Sequence, residues 1–450
     1  TLAWDGLYDA TAYSHRCVQA EGGLEGEGTP FQEDCLFLNV FTPDQKGVSR
    51  PVLFWIHGGG FTQGSANGYD GSVLAAQGDV VVVTINYRLG FLGFSDLSGL
   101  GEEFAGSASN GIRDQIAALN WVSENIADYG GDPSNVTIFG ESAGGTSVLG
   151  LLAAPSAGGL FHKAIAHSPG NVNTPSASVV PALETELGLS GDKLVERLYS
   201  LSSSKVLELQ VKVDTPGGRI DGLVITRSTN ESIVDRGASG VPLIAGTNRD
   251  EGTLFTALIP EEAWEQVGEG IALMVTAGSD PSRYLDGVKL VRPESAERYH
   301  ELLWNDMFRI SAIGAARRAS EAGSGGWLYR FDLPATIPFI GEDFGATHGA
   351  EIPFTFNAFA REERSFPGRE FLSFEVYDSD DERVTSLATA WSNTVIEFAR
   401  TGNPNGAGLP DWPQYQSDRP QTLVLDLDAR VESDWEREEL ARWNRVGISP

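Results

Sequence analysis

Val136-Thr137-Ile138-Phe139-Gly140-Glu141-Ser142-Ala143-Gly144-Gly145 is the stretch on which the reading of this chain turns. Its first four residues are β-branched or aromatic and do not alternate with polar ones, as in a strand buried on both faces of a parallel sheet. Its last residues open a run of small side chains, Ala143 to Ala154, of helical character. A serine between such a strand and such a helix sits on a tight turn, so its neighbours two positions away on either side must lack bulk. The five-residue pattern alone arises by chance in Gly/Ser-rich loops; the strand before it and the helix after it give it weight.

Working outward, Val52 to Ile56 and Val80 to Ile85 are two more continuously apolar runs. Between the second run and the serine turn, Ile112, Ile116, Leu119, Val122 and Ile126 mark one face of a helix over roughly 111–128. Asn110 is its expected N-cap, and Gly130-Gly131-Asp132-Pro133 its stop. Strand, helix, strand is a crossover unit that builds parallel sheet. Later strands are expected at 241–245, 327–331 and 422–427, and long helices at 296–319 and 384–401, the last stopped by Gly402. Segments near 95–109, 155–182, 202–219 and 361–383 read as irregular excursions from a single domain spanning 1–450. The architecture is α/β: an open, mostly parallel central sheet with helices on both faces.

A serine hydroxyl is a weak nucleophile until a base takes its proton and an acid orients that base. In folds with this strand–turn–helix the chain order is serine, acid, histidine. That order tests the six histidines. His15 and His57 precede Ser142; His162 and His167 follow it too closely; His300 lies in an amphipathic helical stretch and reads as a surface or half-buried side chain. His348, in the loop Gly345-Ala346-Thr347-His348-Gly349-Ala350, remains as the base. The acid belongs in the exit loop Gly246 to Gly252, where Asp250 and Glu251 are equal candidates on spacing. His57-Gly58-Gly59-Gly60-Phe61 follows the first strand. Its glycines let backbone N–H groups approach a substrate oxygen, two of them joining the N–H of Ala143 as a three-donor oxyanion hole. A phosphate-cradling reading fails for want of the Lys-Ser/Thr pair.

The chain has 450 residues, 62 acidic against 32 basic, for a net charge of −30. That charge repels nucleic acid and anionic membrane surfaces. It reads as solubility or adaptation to salt, with attraction of cationic substrates as the alternative. No apolar run reaches the roughly 20 residues of a membrane span. Cys17 and Cys35 lie 18 positions apart. Two cysteines cannot make a soft-metal site; they are either free thiols or a disulfide worth roughly 3 kcal/mol. A disulfide would favour a secreted or periplasmic setting over a cytoplasmic one.

The sequence resembles the type-B carboxylesterases, a family that includes cholinesterases and some fungal lipases. The resemblance runs through Glu33-Asp34-Cys35-Leu36, His57 to Phe61, Asn86-Tyr87-Arg88-Leu89-Gly90, Gly131-Asp132-Pro133, Phe139 to Gly145, Asp250-Glu251-Gly252, His348-Gly349-Ala350-Glu351 and Thr401-Gly402-Asn403-Pro404. It implies the α/β-hydrolase fold and hydrolysis of small to medium carboxylic esters through an acyl-enzyme, with no metal or cofactor. It also chooses Glu251 over Asp250, beside Ser142 and His348. By the same resemblance Gly59, Gly60 and Ala143 are the oxyanion donors, Cys17–Cys35 is a disulfide, and Arg88–Asp114 is a structural ion pair. Members of the family usually carry a strand hairpin and a Gly/Pro-rich segment before the part resembling Thr1 to Cys17; set against that pattern, an abbreviated sheet edge and pocket wall are expected. The Cys17–Cys35 loop has no tryptophan, so cation–π capture of choline lacks its platform. Pro169 stands in His167-Ser168-Pro169-Gly170 where the family usually runs Ser-Gly, which would reshape the acyl pocket. The rival readings are a non-catalytic adhesion module on the same fold, or the same machinery acting on carbamates, amides or polyester oligomers.

Overall fold

The nine strands of the central sheet are β1 (Leu38–Phe41), β2 (Arg50–Ile56), β3 (Val81–Ile85), β4 (Gly131–Glu141), β5 (Lys163–His167), β6 (Leu243–Asn248), β7 (Gly326–Phe331), β8 (Gln421–Leu425) and β9 (Arg430–Ser433). The computed structural model describes residues 6, 8–20, 31–44, 49–213, 217–238, 240–277, 279–291, 295–335, 344–359, 377–435, 437–448 and 450. In space the strands run β9-β8-β7-β6-β5-β4-β2-β3-β1. Every neighbouring pair is parallel except the two at the edges, β1 with β3 and β8 with β9.

The absence of alternation in the strands has its cause in two helix layers. Val52, Phe54 and Ile56 face one core, shared with Ile112 and Leu119 of α1 (Asn110–Asn125), Val148 and Leu149 of α2 (Ala143–Leu152), and Ile310 and Ile313 of α4 (Ala296–Glu321). Leu53 and Trp55 face the other, with Trp391, Val395 and Phe398 of α5 (Glu382–Thr401). Each fully buried large side chain contributes roughly 1.5–3 kcal/mol relative to exposure. The short α3 (Gly252–Leu258) follows β6 directly.

Several expectations need correction. Asn110 does not cap α1: it is the first helical residue, and its Nδ2 turns to the carbonyl of Leu92 at 3.4 Å. Gly130, at φ 82°, ends the helical run alone, and β4 begins at the next residue. The 155–182 segment holds a central strand, β5, and the start of a helix, Val180–Leu187. Ala-rich and polar at both ends, β5 lacks the β-branched signature of its neighbours. The 202–219 segment contains the helix Ser203–Val213, whose Val206 and Leu209 pack with Phe91, Leu183 and Leu194 in a small satellite core. β6 continues through Asn248, so the exit loop shrinks to Arg249-Asp250-Glu251. His300 is buried, at 5% exposure, beside the Trp264 ring. Residues 361–376 and the tryptophan-free stretch 21–30 lie outside the described residues. The expected Cys17–Cys35 disulfide is formed, and Arg88 grips Asp114 with two bonds of 2.8 Å.

Candidate active site

Strand β2 pairs with β3 on one side and β4 on the other, so the chain order reverses there. Such a switch point opens a crevice outside the carboxyl ends of the strands. The loops leaving β2, β4, β5 and β6 begin at His57, Ser142, Ser168 and Arg249 and gather in that crevice.

Ser142 adopts φ 58°, ψ −120°, a conformation costing on the order of 1–3 kcal/mol for a residue with a side chain. Close packing around the turn holds it there. A Cβ on Gly140 would come within 2.6 Å of the Ile56 carbonyl oxygen, and one on Gly144 would overlap the same oxygen. The Ser142 N–H donates to the His167 carbonyl at 3.0 Å. α2 starts at the next residue, so the Ala143 N–H is one of the unpaired donors at a helix N-terminus. Across the crevice Gly59 and Gly60 both take positive φ, 105° and 61°. Their backbone thereby curls: the Gly59 carbonyl accepts from the N–H groups of Thr62 and Gln63. Among the described residues, the N–H groups of Gly59 and Gly60 have no protein acceptor.

His348 lies in a turn, and its Nδ1 is 2.5 Å from Glu251 Oε2. Glu251 is fully buried. Its Oε1 accepts from the Ser168 hydroxyl at 2.6 Å and from the Asn248 N–H at 2.7 Å, so both oxygens are engaged and the carboxylate cannot swing. Nε2 of His348 makes no hydrogen bond and lies 3.1 Å from Oε1 of Glu141, the residue before Ser142. Asp250, the other acid considered, turns away: its Oδ2 accepts from the Ala346 N–H at 2.9 Å and pairs with Arg249.

Three carboxylates surround the imidazole. Burial alone would lower the pKa of His348, but Glu141 and then Glu251 outweigh it and hold the ring up at about 9. Glu141 is itself pushed up, first by burial and, against the pull of His348, by the charge of Glu251. Glu351 is raised by burial and by the charges of Glu141 and Glu251. It accepts from the Asn248 amide at 2.6 Å, while the nearby Tyr329 hydroxyl lies 2.6 Å from His167 Nδ1. Burial drives His57 down to about 4 and His167 to about 3, so both are neutral fixtures. Ring contacts line the histidine: Phe308 stacks at 4.5 Å, Phe255 approaches to 4.9 Å, and Trp304 stacks on Phe255 at 3.9 Å. Opposite, Phe61, Val172 and Thr146 surround Gly218.

Ser142, Glu251, His348, Gly59, Gly60 and Ala143 thus converge on one crevice. Sequence reasoning passed over Glu141, Ser168, Asn248 and Glu351. Glu141 and Glu351 were visible inside the serine and histidine motifs, as buried acids in otherwise small or apolar company. Nothing in the local pattern marks Ser168 or Asn248. Among the described residues no group of three or more His, Cys, Asp or Glu side chains is set to hold a metal.

A parallel, doubly covered sheet with a strained serine at the carboxyl end of a central strand defines an α/β hydrolase. Comparison with known proteins is specific. A profile of the carboxylesterase family matches residues 1–443. The para-nitrobenzyl esterase of Bacillus subtilis (strain 168) is 36% identical over 97% of this chain and 88% of its own length. The cocaine esterase of Homo sapiens is 34% identical over 99% and 82%. Among solved structures, a PNB esterase superposes with a TM-score of 0.81 at 33% identity, covering 98% of this chain and 90% of that one. A carboxylesterase of Geobacillus stearothermophilus gives 0.78 at 33%, covering 98% and 91%. The chain belongs to the carboxylesterase family and is a carboxylic ester hydrolase acting on small-molecule esters.

Proposed function

We propose that Ser142, His348 and Glu251 act as nucleophile, general base and orienting acid, with the N–H groups of Gly59, Gly60 and Ala143 holding the oxyanion. The observation that carries this reading is the pairing of His348 Nδ1 with the buried Glu251 carboxylate, which leaves Nε2 unbonded beside the serine turn. Nε2 takes the Ser142 proton as the hydroxyl attacks the ester carbonyl. Glu251 fixes the tautomer and stabilises the imidazolium that forms. The tetrahedral oxyanion sits between the two loops, each donor there contributing about 3–4 kcal/mol to transition-state stabilisation. His348 then protonates the departing alcohol, and water repeats the cycle on the acyl-serine. The leaving group departs beside His348, so the Phe255–Trp304 stack favours neutral esters with small to medium, apolar or aromatic alcohol portions. The name of the Bacillus subtilis relative, a para-nitrobenzyl esterase, agrees with this. The net charge of −30 speaks against nucleic-acid partners.

Turnover of a short-chain nitrophenyl ester tests the reading. An organophosphate should abolish it and add its mass to the peptide carrying Ser142, and Ser142→Ala should lower kcat on the order of 10⁵–10⁶-fold. Label on another residue, or an active Ser142→Ala, would overturn the assignment.

A further inference from the structure

We propose that Asp250, the neighbour of Glu251, is a positioning residue that clasps the loop of His348 to the loop of the acid. This rests on the triad reading above. The clasp has two points. The Asp250 N–H donates to the Ala346 carbonyl at 2.9 Å, and the Ala346 N–H donates to Asp250 Oδ2 at 2.9 Å. Ala346 is two residues before His348. The fit is close: Gly345 takes φ 63°, and a Cβ there would overlap the Asp250 carboxylate. A third crossing comes from the Thr253 hydroxyl, within 2.8 Å of the Phe344 carbonyl and of the Thr347 hydroxyl.

The acid loop is the fixed side of this clasp. The Arg249 N–H donates to the Phe331 carbonyl at 2.9 Å, the Arg309 guanidinium donates to the Arg249 carbonyl, and the Gly252 N–H donates to Asn305 at 3.0 Å. β7 and α4 therefore hold the strand exit, and the histidine loop is referenced to it through Asp250. The side chain of Arg249, the ion-pair partner of Asp250, is 41% exposed, so removing Asp250 leaves no buried charge behind. Glu251 can orient the imidazole only if the backbone carrying that ring stays in register, and a displacement of about 1 Å costs on the order of 100-fold in rate.

Asp250→Ala should lower kcat by about 10- to 100-fold with KM within about twofold of the parent. Asp250→Asn, which keeps an oxygen for the Ala346 N–H, should recover most of that loss. The acid limb of the kcat/KM profile should move to lower pH in Asp250→Ala alone, because a ring that drifts from Glu251 loses the charge that favours its protonated form. Arg249→Gln removes the exposed ion pair and keeps the clasp, and should stay within about twofold of the parent. A parent-like kcat in Asp250→Ala, an Asn variant as poor as the Ala variant, or an equal loss in Arg249→Gln would each overturn the proposal. Should Asp250→Ala not fold, Gly345→Ala carries the test. It removes no hydrogen-bonding group but pushes Asp250 Oδ2 off the Ala346 N–H, so a folded variant with unchanged kcat also overturns it. Ser142→Ala run alongside separates the two readings. If it turns over substrate, the triad is wrong; if it is inactive while Asp250→Ala is normal, only the clasp is wrong.

Discussion

His348 stands in a pocket with three carboxylates, and on the proposed triad that crowding governs when the enzyme works. As the proposed base, His348 must be neutral to accept the Ser142 proton, while Glu141 and Glu251 favour its charged form strongly enough to hold it up at about 9. The acid limb of kcat/KM should therefore lie above pH 6.5, with activity still rising into the alkaline range. Glu141→Gln removes the largest of the charges that raise the ring. The sign follows directly: a less stabilised imidazolium gives a lower pKa, so the limb should move to lower pH by about one unit, each unit being 1.36 kcal/mol of interaction. A pH–rate series on both proteins checks this, and an unmoved limb would mean that Glu141 does not face a titrating base. At this scale the sequence was legible where chemistry narrows the choice. Ser142 announced itself by its glycines, and His348 survived by chain order. Glu251 over Asp250 was not readable from spacing, because adjacent residues in a loop differ only in which way the backbone turns them. The buried pocket of Glu251 is closed by the Ser168 hydroxyl, just past the end of β5, and by the N–H of Asn248, the last residue of β6.

Between elements, the support of the proposed oxyanion loop comes from far along the chain. Gln19, two residues past Cys17 and fully buried, donates from Nε2 to the carbonyls of Cys17 and Gly64 at 3.1 and 3.0 Å. Its Oε1 accepts the Gly64 N–H at 2.9 Å. The disulfide thus sits two residues from an amide that holds Gly64, at the end of the 57–64 loop, by two bonds. Each such bond contributes about 1 kcal/mol net. Gln19→Ala should lower kcat about tenfold, equivalent to about 1.4 kcal/mol, with KM little changed, since the hole matters more as charge develops. Reduction of Cys17–Cys35 should act in the same direction, with a lower thermal midpoint from the roughly 3 kcal/mol that such a cross-link contributes. Ester kinetics before and after reductant test this; an unaffected kcat in both would mean that the loop holds itself. The elements themselves were legible in proportion to their periodicity. β2, β3, α1 and α5 fall close to the expected ranges because their apolar residues mark a face or a continuous run, and β4 contains the expected run 136–139 but starts at Gly131, inside the stretch read as a helix stop. β5 was not, since alanines between Lys163 and His167 signal no face, and its place comes from pairing with β4 and β6.

Across the whole molecule, charge and the buried acids act together on stability. The excess of 62 acidic over 32 basic residues makes the folded state repel itself more than the expanded one. Exposed pairs such as Lys205–Glu208 and Arg383–Asp381 contribute only about 0–1 kcal/mol each, and salt weakens them. Salt weakens the repulsion among the uncompensated charges as well, the screening length falling from about 10 Å at 0.1 M to about 3 Å at 1 M. With acidic residues outnumbering basic ones by 62 to 32, relief of repulsion should win, and the thermal midpoint should rise with sodium chloride. pH pulls on the same quantity. Glu141, Glu351 and His348 all have folded pKa values above their ordinary ones of 4.5, 4.5 and 6.5. Between those values and the raised ones the folded chain binds more protons than the unfolded chain. Stability from these groups is therefore complete only below about pH 4.5 for the two glutamates and below about 6.5 for His348, and it is lost as pH rises from there towards about 9. The protein should melt at a lower temperature at pH 9 than at pH 6, while its turnover rises over the same interval. Salt should raise the midpoint at both pH values, since the surface acids are ionised throughout. In Glu141→Gln the slope of midpoint against pH should flatten, because one group that must ionise inside the fold is gone. Scanning calorimetry at the two pH values, in low and high salt, with parent and variant, separates the terms. A midpoint that falls with salt would place stability in the surface pairs, and an equal pH slope in the variant would remove Glu141 from the cause.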